Sequence, residues 1–363
     1  MPPVTLFKYI VSRTCLAVAA LFAALAALVM LVDLLENLRF ASKVSADFAF
    51  AAQVTALRTP AMTQSLAPFV FLFGSMWMFN QLNKRSELAV MRSAGLSIWR
   101  LIGPAAFLAA IGGLALILFI DPISSHMMSL GEKMKLNSRG QSSSLVRVFG
   151  DGIWLRQRDK GEVLLINAAS FNADRGALKE VTIWRLGLDG QFGERIDAPD
   201  AILAGRTIEL HDARMKRPGD KLSTRTPTYS VPTELSLADF RENVPPPESM
   251  SIWDLPRFIL LAEAAGLSTA RYNIRFHDLC STPLKLTAMV LIAAVFSMGP
   301  IRSGNSFGLI LAAVGVGFGL YAISEISTAF GESGVIPEAP AAWAPAIIAV
   351  VGAVAVLMRH EES

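Results

Sequence analysis

Long uncharged apolar blocks alternate with short charged breaks at both ends of this chain, and a different rhythm fills the middle. Thr14–Val32 is uncharged between Arg13 and Asp33. As a helix of about 19 residues it measures roughly 28 Å, the thickness of a bilayer core. Thr59–Asn83, between Arg58 and Lys84, is the second block, and Leu101–Ile120, between Arg100 and Asp121, is the third. Leu286–Ile301 is the fourth. It reaches spanning length only by starting near Leu279 and taking in Lys285. Ser303–Ser324, closed by Glu325, is the fifth, and Ala339–Met358, closed by Arg359, is the sixth. Six spans predict both chain ends on one side.

Between the third and fourth blocks no run is long enough to span. From about Ser144 to Tyr229 the apolar period shortens to two, in LVRVF (145–149), GIWLRQ (152–157), EVLLIN (162–167), VTIWRL (181–186) and RTIELHD (206–212). Turn signals separate these runs: Gly150-Asp151-Gly152, Asp159-Lys160-Gly161, Asp174-Arg175-Gly176, Asp189-Gly190 and Pro218-Gly219. Short strands at this spacing predict a sandwich, roll or barrel, and the missing βαβ rhythm excludes a nucleotide-binding α/β domain. Pro245-Pro246-Pro247 ends the region as a stiff linker. Ile252–Ala265 is amphipathic. It lies flat on the membrane surface or packs on the β domain, and the pattern serves both. Ser268–Asp278 leads into the fourth span.

Composition agrees with the blocks. The chain has 363 residues, 53% hydrophobic and 17% charged, with mean hydropathy +0.46, where soluble domains carry about 25% charge. No cleavable leader is expected, because the first apolar run is too long and no small-residue cleavage site follows it. The net charge of +3 is small and no basic run suggests nucleic acid. The positive-inside rule places Lys8, Arg13, Lys84, Arg85, Arg92, Arg100, Arg302 and Arg359 on the cytoplasmic side. Arg39, Lys43 and Arg58 run against it. Cytoplasmic termini and an outside β domain follow.

The chain carries no engine of its own. It lacks GxxxxGK[ST], HExxH, GxSxG and Cys-x-x-Cys. Cys15 and Cys280 belong to apolar packing, and His126, His211, His277 and His360 are scattered, so neither a cofactor nor a metal is expected and the chain is not an enzyme. Gly315, Gly317 and Gly319 sit inside an apolar block, where they permit close packing or bending. Polar signals gather at the membrane boundaries. Asp33, Glu36 and Arg39 close the first span at i, i+3 and i+6, so the two acids share a face. They line a wet cavity, meet a partner or sit among headgroups. On the other side, Leu88, Met91, Ala94 and Ile98 recur at helical spacing with Arg85, Glu87 and Arg92 on other faces, and Gly95 ends that helix before Ser97 restarts the chain. This stretch is an interfacial loop or a docking element.

Lys84-Arg85-Ser86-Glu87-Leu88-Ala89-Val90-Met91-Arg92-Ser93-Ala94-Gly95 closely resembles the RSEL…M…A.G segment of the lipopolysaccharide-export permeases, the LptF/LptG family. Gly299-Pro300-Ile301-Arg302-Ser303 resembles that family's turn between spans four and five, and Gly266 to Tyr272 its approach to span four. The wording of these segments and Asp33 favour the G-type of the two subunits. The resemblance implies an α-helical membrane protein of six transmembrane helices with an inserted periplasmic jelly-roll-like β domain, in the bacterial inner membrane. Its parts are 1–121 with spans one to three and a coupling helix at 84–97, 122–250 with the β domain, 251–278 with the amphipathic linker, and 279–363 with spans four to six.

As partners the resemblance implies an LptF-type subunit in a heterodimer, a cytoplasmic ATPase dimer of LptB type, periplasmic bridge proteins of LptC/LptA type, and lipopolysaccharide. Arg85, Glu87, Leu88, Met91, Arg92 and Gly95 would couple to the ATPase, with Glu87 as the acidic contact. Spans one and five would line the lipid cavity, with Asp33, Glu36, Arg39 and Lys43 at its rim and Phe318 and Tyr321 from span five. Glu36 and Asn37 stand where family members carry lysines. Phosphate recognition then falls to Arg39, Lys43 or the partner, or the lipid carries less phosphate or uronic acids instead. A membrane sensor or scaffold with a ligand-binding β domain is the alternative.

Overall fold

The structure is a computed structural model that describes residues 3–138, 145–149, 152–159, 162–172, 176–187, 191–220, 222–233, 246–265, 267–298 and 306–362. The turns at Gly150-Asp151, Lys160-Gly161, Asp174-Arg175 and Asp189-Gly190, the start of the proline linker, Gly266 and the Gly299–Ser303 segment lie outside the described residues. The chain divides into two compact units, one of residues 1–131 and 273–363, the other of residues 132–272.

The first unit is a helical bundle. Its helices are α1 (Pro3–Lys43), α2 (Phe48–Ser65), α3 (Ala67–Lys84), α4 (Glu87–Ser93), α5 (Ile98–Ala115), α6 (Asp121–Ser138, which crosses into the second unit), α8 (Ala270–Ser297, which begins there), α9 (Ser306–Glu332) and α10 (Glu338–Glu362). A π-helical turn, Leu116–Ile120, joins α5 to α6, so the third span runs on past Asp121 to Lys135. Among the described residues five helices are long and apolar enough to cross a membrane, and six spans result if α2 and α3 count as one.

That second span is not the straight run Thr59–Asn83. α2 and α3 meet at Leu66 with a bend of 62°. Pro68, at the start of α3, has no N–H for the Gln64 carbonyl and its ring crowds that carbonyl, which breaks the helix. α1 packs on α2, α3 and α5, and α9 on α10. The core gathers Leu72, Phe79, Leu101, Ile102, Leu286 and Val290, all buried. α5 and α8 approach closely at Gly113, where an added Cβ would stand 2.5 Å from Pro283 Cα. Of the three span-five glycines, Gly317 meets Leu72, while nothing lies within 4 Å of a Cβ at Gly315 or Gly319.

The second unit holds one seven-stranded antiparallel sheet in chain order, β1 (Leu145–Phe149), β2 (Gly152–Asp159), β3 (Glu162–Asn172), β4 (Ala177–Gly187), β5 (Phe192–Ala204), β6 (Thr207–Lys216) and β7 (Thr224–Pro232). The jelly-roll-like domain thus takes the form of a meander, with no Greek-key crossover among the described strands. Alternation puts one apolar face in register across it: Leu155 opposite Ile166, Ile166 opposite Ile183, Ile183 opposite Ile196, Leu203 opposite Ile208 and Ile208 opposite Val231. All of these are buried, and among the described residues only Ala265 and Leu267 from outside the sheet join their cluster.

Sequence alternation missed β5, whose FGERIDAPDAILA contains Pro199 and four charges. It missed β7, where apolar residues are sparse. Helix α7 (Leu255–Ala264) takes one of the two placements left open for the amphipathic stretch, against the β domain. Leu255 and Ala262 are buried, the Ala265 carbonyl accepts from Phe171 N–H at 2.9 Å, and the helix packs on the β domain while Trp253 and Leu260 stay exposed.

Candidate functional site

One end of the bundle gathers around α4. Ser86, which precedes it, is left-handed (φ 58°), and Gly95 after it is too (φ 77°). Gly95 N–H donates to the Arg92 carbonyl and Leu96 N–H to the Met91 carbonyl, a glycine-closed helix end. The Ser97 hydroxyl then caps α5 by accepting from Trp99 N–H at 3.2 Å. α4 spans only Glu87–Ser93, shorter than the expected 84–97, and Ile98 of the apolar repeat belongs to α5.

The six coupling candidates do not share one exposure. Leu88 is 4% exposed and Met91 packs beside it on the core. Glu87 is half-buried, accepting the Tyr9 hydroxyl at 2.8 Å with the Arg85 guanidinium at 4.0 Å. Arg85, Arg92 and Gly95 are exposed, as is Val90, which the sequence did not single out. Both chain ends meet this segment: Tyr9 bonds Glu87, Arg92 Nη2 donates to the His360 carbonyl at 3.4 Å, and the Ser97 hydroxyl bonds the Glu361 carboxylate. Asn83 Nδ2 reaches the Ser297 carbonyl at the end of α8. A bundle with an even number of crossings, α2 and α3 counted as one, produces this meeting.

The far end of α1 carries the rim candidates, and there the two acids part. Asp33 is 3% exposed; Glu36 is exposed. The boundary between buried and open faces passes between positions three apart, and Asp33 shares its face with Asn37, one turn on. Asp33 Oδ1 lies 3.2 Å from Arg58 Nη1 of α2, and Asp33 Oδ2 accepts from Asn37 Nδ2 at 2.7 Å. Asn37 Nδ2 also reaches the Thr55 hydroxyl at 2.9 Å. Asp33 and Asn37 thus form a buried clasp between α1 and α2. Glu36, Arg39 and Lys43 stay on the open face with Leu28, Val32 and Leu35. Arg58, one of the three bases that run against the expected orientation, has its charge matched by Asp33.

A second buried cluster was not anticipated. Asp121, with no exposed surface, lies 3.2 Å from Arg275 Nη2 of α8, and Gln64 of α2 donates to it at 3.3 Å. Ser124 donates to Gln64 Oε1 at 2.8 Å. This cluster ties the broken second span to the third and fourth. The signal was present, an acid and a base at two span boundaries, but nothing local says that they meet. In span four, Lys285 is held by the Asp278 carboxylate, which makes a lysine tolerable inside a helix of spanning length.

Phe318 and Tyr321 stand on α9 against Phe69 of α3, with ring centroids 4.7 and 4.9 Å away. α9 and α1 are the least covered spans. Only 6% of the most apolar stretch of α1 and 11% of that of α9 is buried, against 56% for α8 and 44% for the third span. Their open faces are apolar: Leu28, Leu31 and Leu35 on α1, and Leu311, Phe318 and Ile323 on α9. Among the described residues no group of histidine, cysteine and carboxylate side chains could hold a metal ion.

The profile of the family described as lipopolysaccharide export system permease LptF/LptG matches residues 8–359. The chain is similar to the lipopolysaccharide export system permease protein LptG of Haemophilus influenzae, at 24% identity over 361 residues and 96% of each chain. It is also similar to the protein of the same name from Escherichia coli K12, at 24% identity over 309 residues and 82% of each chain.

Proposed function

Because the chain belongs to the LptF/LptG family of lipopolysaccharide export permeases, we propose that it is the G-type subunit of a heterodimeric, ABC-type exporter. It draws lipopolysaccharide from the inner membrane and passes it to a periplasmic bridge of LptC/LptA type. An LptF-type subunit completes the cavity, and an LptB-type ATPase dimer supplies the work. In this reading both termini and α4 are cytoplasmic and the β domain is periplasmic.

The observation that carries the proposal is the pair of uncovered apolar faces on α1 and α9. A helix face of leucine, valine and phenylalanine suits acyl chains and a second subunit's helices equally. Glu36, Arg39 and Lys43 close the α1 face with charge, as an amphiphilic anion requires at its polar end. Asp33 holds α1 on α2 beneath that rim. Phe318 and Tyr321 flank the α9 face. α4 receives force through its exposed Val90 and Arg92, and Leu88 roots it in the bundle.

Photocrosslinkers at Leu35 and Glu36, installed in cells, test this. Capture of lipopolysaccharide from these positions is the expected result. Capture only from Ile348, on the exposed side of α10, would overturn it.

A further inference from the structure

The α4 end of the bundle holds a cleft of 220 Å³ between α1 and α3, and its edge is formed by Arg85 and Glu87. We propose that this cleft binds the phosphate head of an anionic phospholipid from the leaflet on α4's side. The site goes beyond the export reading, since it faces the end of the bundle opposite the rim.

Depth, charge and shape carry the inference. Arg13 immediately precedes the uncharged run of α1, and Arg85 immediately follows α3, so both guanidiniums stand where a bilayer's phosphodiesters lie. Arg13 makes no ion pair among the described residues; its guanidinium lies 5.4 Å from the Tyr9 ring, stiffened by a cation–π contact. Arg85 is only loosely held, 4.0 Å from Glu87 and more than half exposed. Two donor forks lining one opening suit a phosphate.

Leu16 and Trp77 line the cleft about a turn or more deeper into the apolar zone, and both are exposed, which gives an acyl chain a surface to follow. The volume is below the range of about 300–1,000 Å³ usual for whole small-molecule ligands and suits a head whose tails lie outside. Glu87 is the one carboxylate in the lining, and the Tyr9 hydroxyl already engages it. A phosphate that draws Arg85 away would leave Glu87 to Tyr9 alone, which links headgroup occupancy to the root of α4.

Native mass spectrometry of the full chain in detergent tests the site, titrated with phosphatidylglycerol, with phosphatidylcholine of the same chains, and with sn-glycerol 3-phosphate. The expected result is preferential retention of phosphatidylglycerol, reduced about fivefold by Arg13→Gln and largely kept by Arg13→Lys. Trp77→Ala should weaken both lipids. Equal retention of the two lipids, no change in Arg13→Gln, or an Arg13→Lys loss equal to that of Arg13→Gln would overturn the proposal. Displacement of the lipid by sn-glycerol 3-phosphate would overturn it in favour of a soluble phosphate site.

Discussion

The clasp between Asp33 and Arg58 makes a quantitative prediction. Each side chain is largely buried, 2% and 13% exposed, with 3.2 Å between Asp33 Oδ1 and Arg58 Nη1. At an effective dielectric of about 20 the attraction at that distance is roughly 5 kcal/mol, and desolvation of both groups offsets much of it. The asymmetry matters more than the sum. Arg58→Met leaves Asp33 charged, deep and facing an apolar side chain, and should cost about 3–5 kcal/mol. Asp33→Asn should cost less, because the new side-chain amide still bonds Asn37 and a long arginine reaches toward headgroups. The double variant should lose less than Arg58→Met alone, since it removes the orphaned charge, so the cycle shows a coupling of about 2–3 kcal/mol.

Equilibrium unfolding in mixed micelles, with all four proteins compared, measures this. Export should follow stability: a cell-based assay of Asp33→Asn should show near-normal lipid export wherever the protein accumulates. Additive single losses, or a well-folded Asp33→Asn that abolishes export, would refute the clasp and return Asp33 to the lipid-facing rim.

At the crossing of α5 and α8, Gly113→Val drives side-chain atoms into Pro283, whose Cα is 2.5 Å from the Cβ position, and should cost about 1–3 kcal/mol or more in the same unfolding assay; Gly103→Ala, with nothing within 4 Å, should cost nothing and gain helix propensity of about 0.5–1 kcal/mol. On α4, Val90→Asp should leave unfolding unchanged yet abolish co-purification of the proposed ATPase partner, whereas Leu88→Asp should destabilise the chain itself by placing a charge in the core; equal loss of stability in both would remove the proposed docking face. In the β domain, Arg225 hydrogen-bonds the Asp212 carboxylate, with Nη2 2.7 Å from Oδ2, and its charge adds to that bond in lowering the Asp212 pKa below the ordinary 3.8. A carboxylate lowered in this way contributes stability above its unfolded pKa and loses it as pH falls through the folded value. NMR titration should therefore place Asp212 below 3.8, and Arg225→Gln should raise it.

Much of the membrane architecture is legible in sequence because transfer of apolar side chains to lipid is a local property. An uncharged run between an arginine and an aspartate declares a span wherever it occurs. The first, third, fifth and sixth blocks each supply the apolar stretch of a helix of spanning length. Alternation likewise announced β1, β2, β3, β4 and β6. It failed on β5, where Asp197, Pro199 and Asp200 interrupt the apolar face, and that strand is held by hydrogen bonding to β4 and β6. The 62° break at Leu66 was locally encoded by Pro68, but a proline near a helix start permits a continuous kinked span as readily as a broken one.

The site divides along the same line. Residue order alone establishes that charge gathers at the span boundaries, that Gly95 ends α4 and Ser97 restarts the chain, and that no motif for catalysis is present. Which of those charges meet was left to packing. Asp33 and Arg58 are separated by a helix hairpin, Asp121 and Arg275 by the whole β domain, and each pair is buried because helix packing brings two boundaries to the same depth. Helical spacing put Asp33 and Glu36 on one face, yet a face has an edge, and the position of α2 drew that edge between them. The same packing rooted Leu88 and freed Val90. A residue's type fixes what it can bond; its neighbours across the bundle fix whether it faces them, the lipid or a partner.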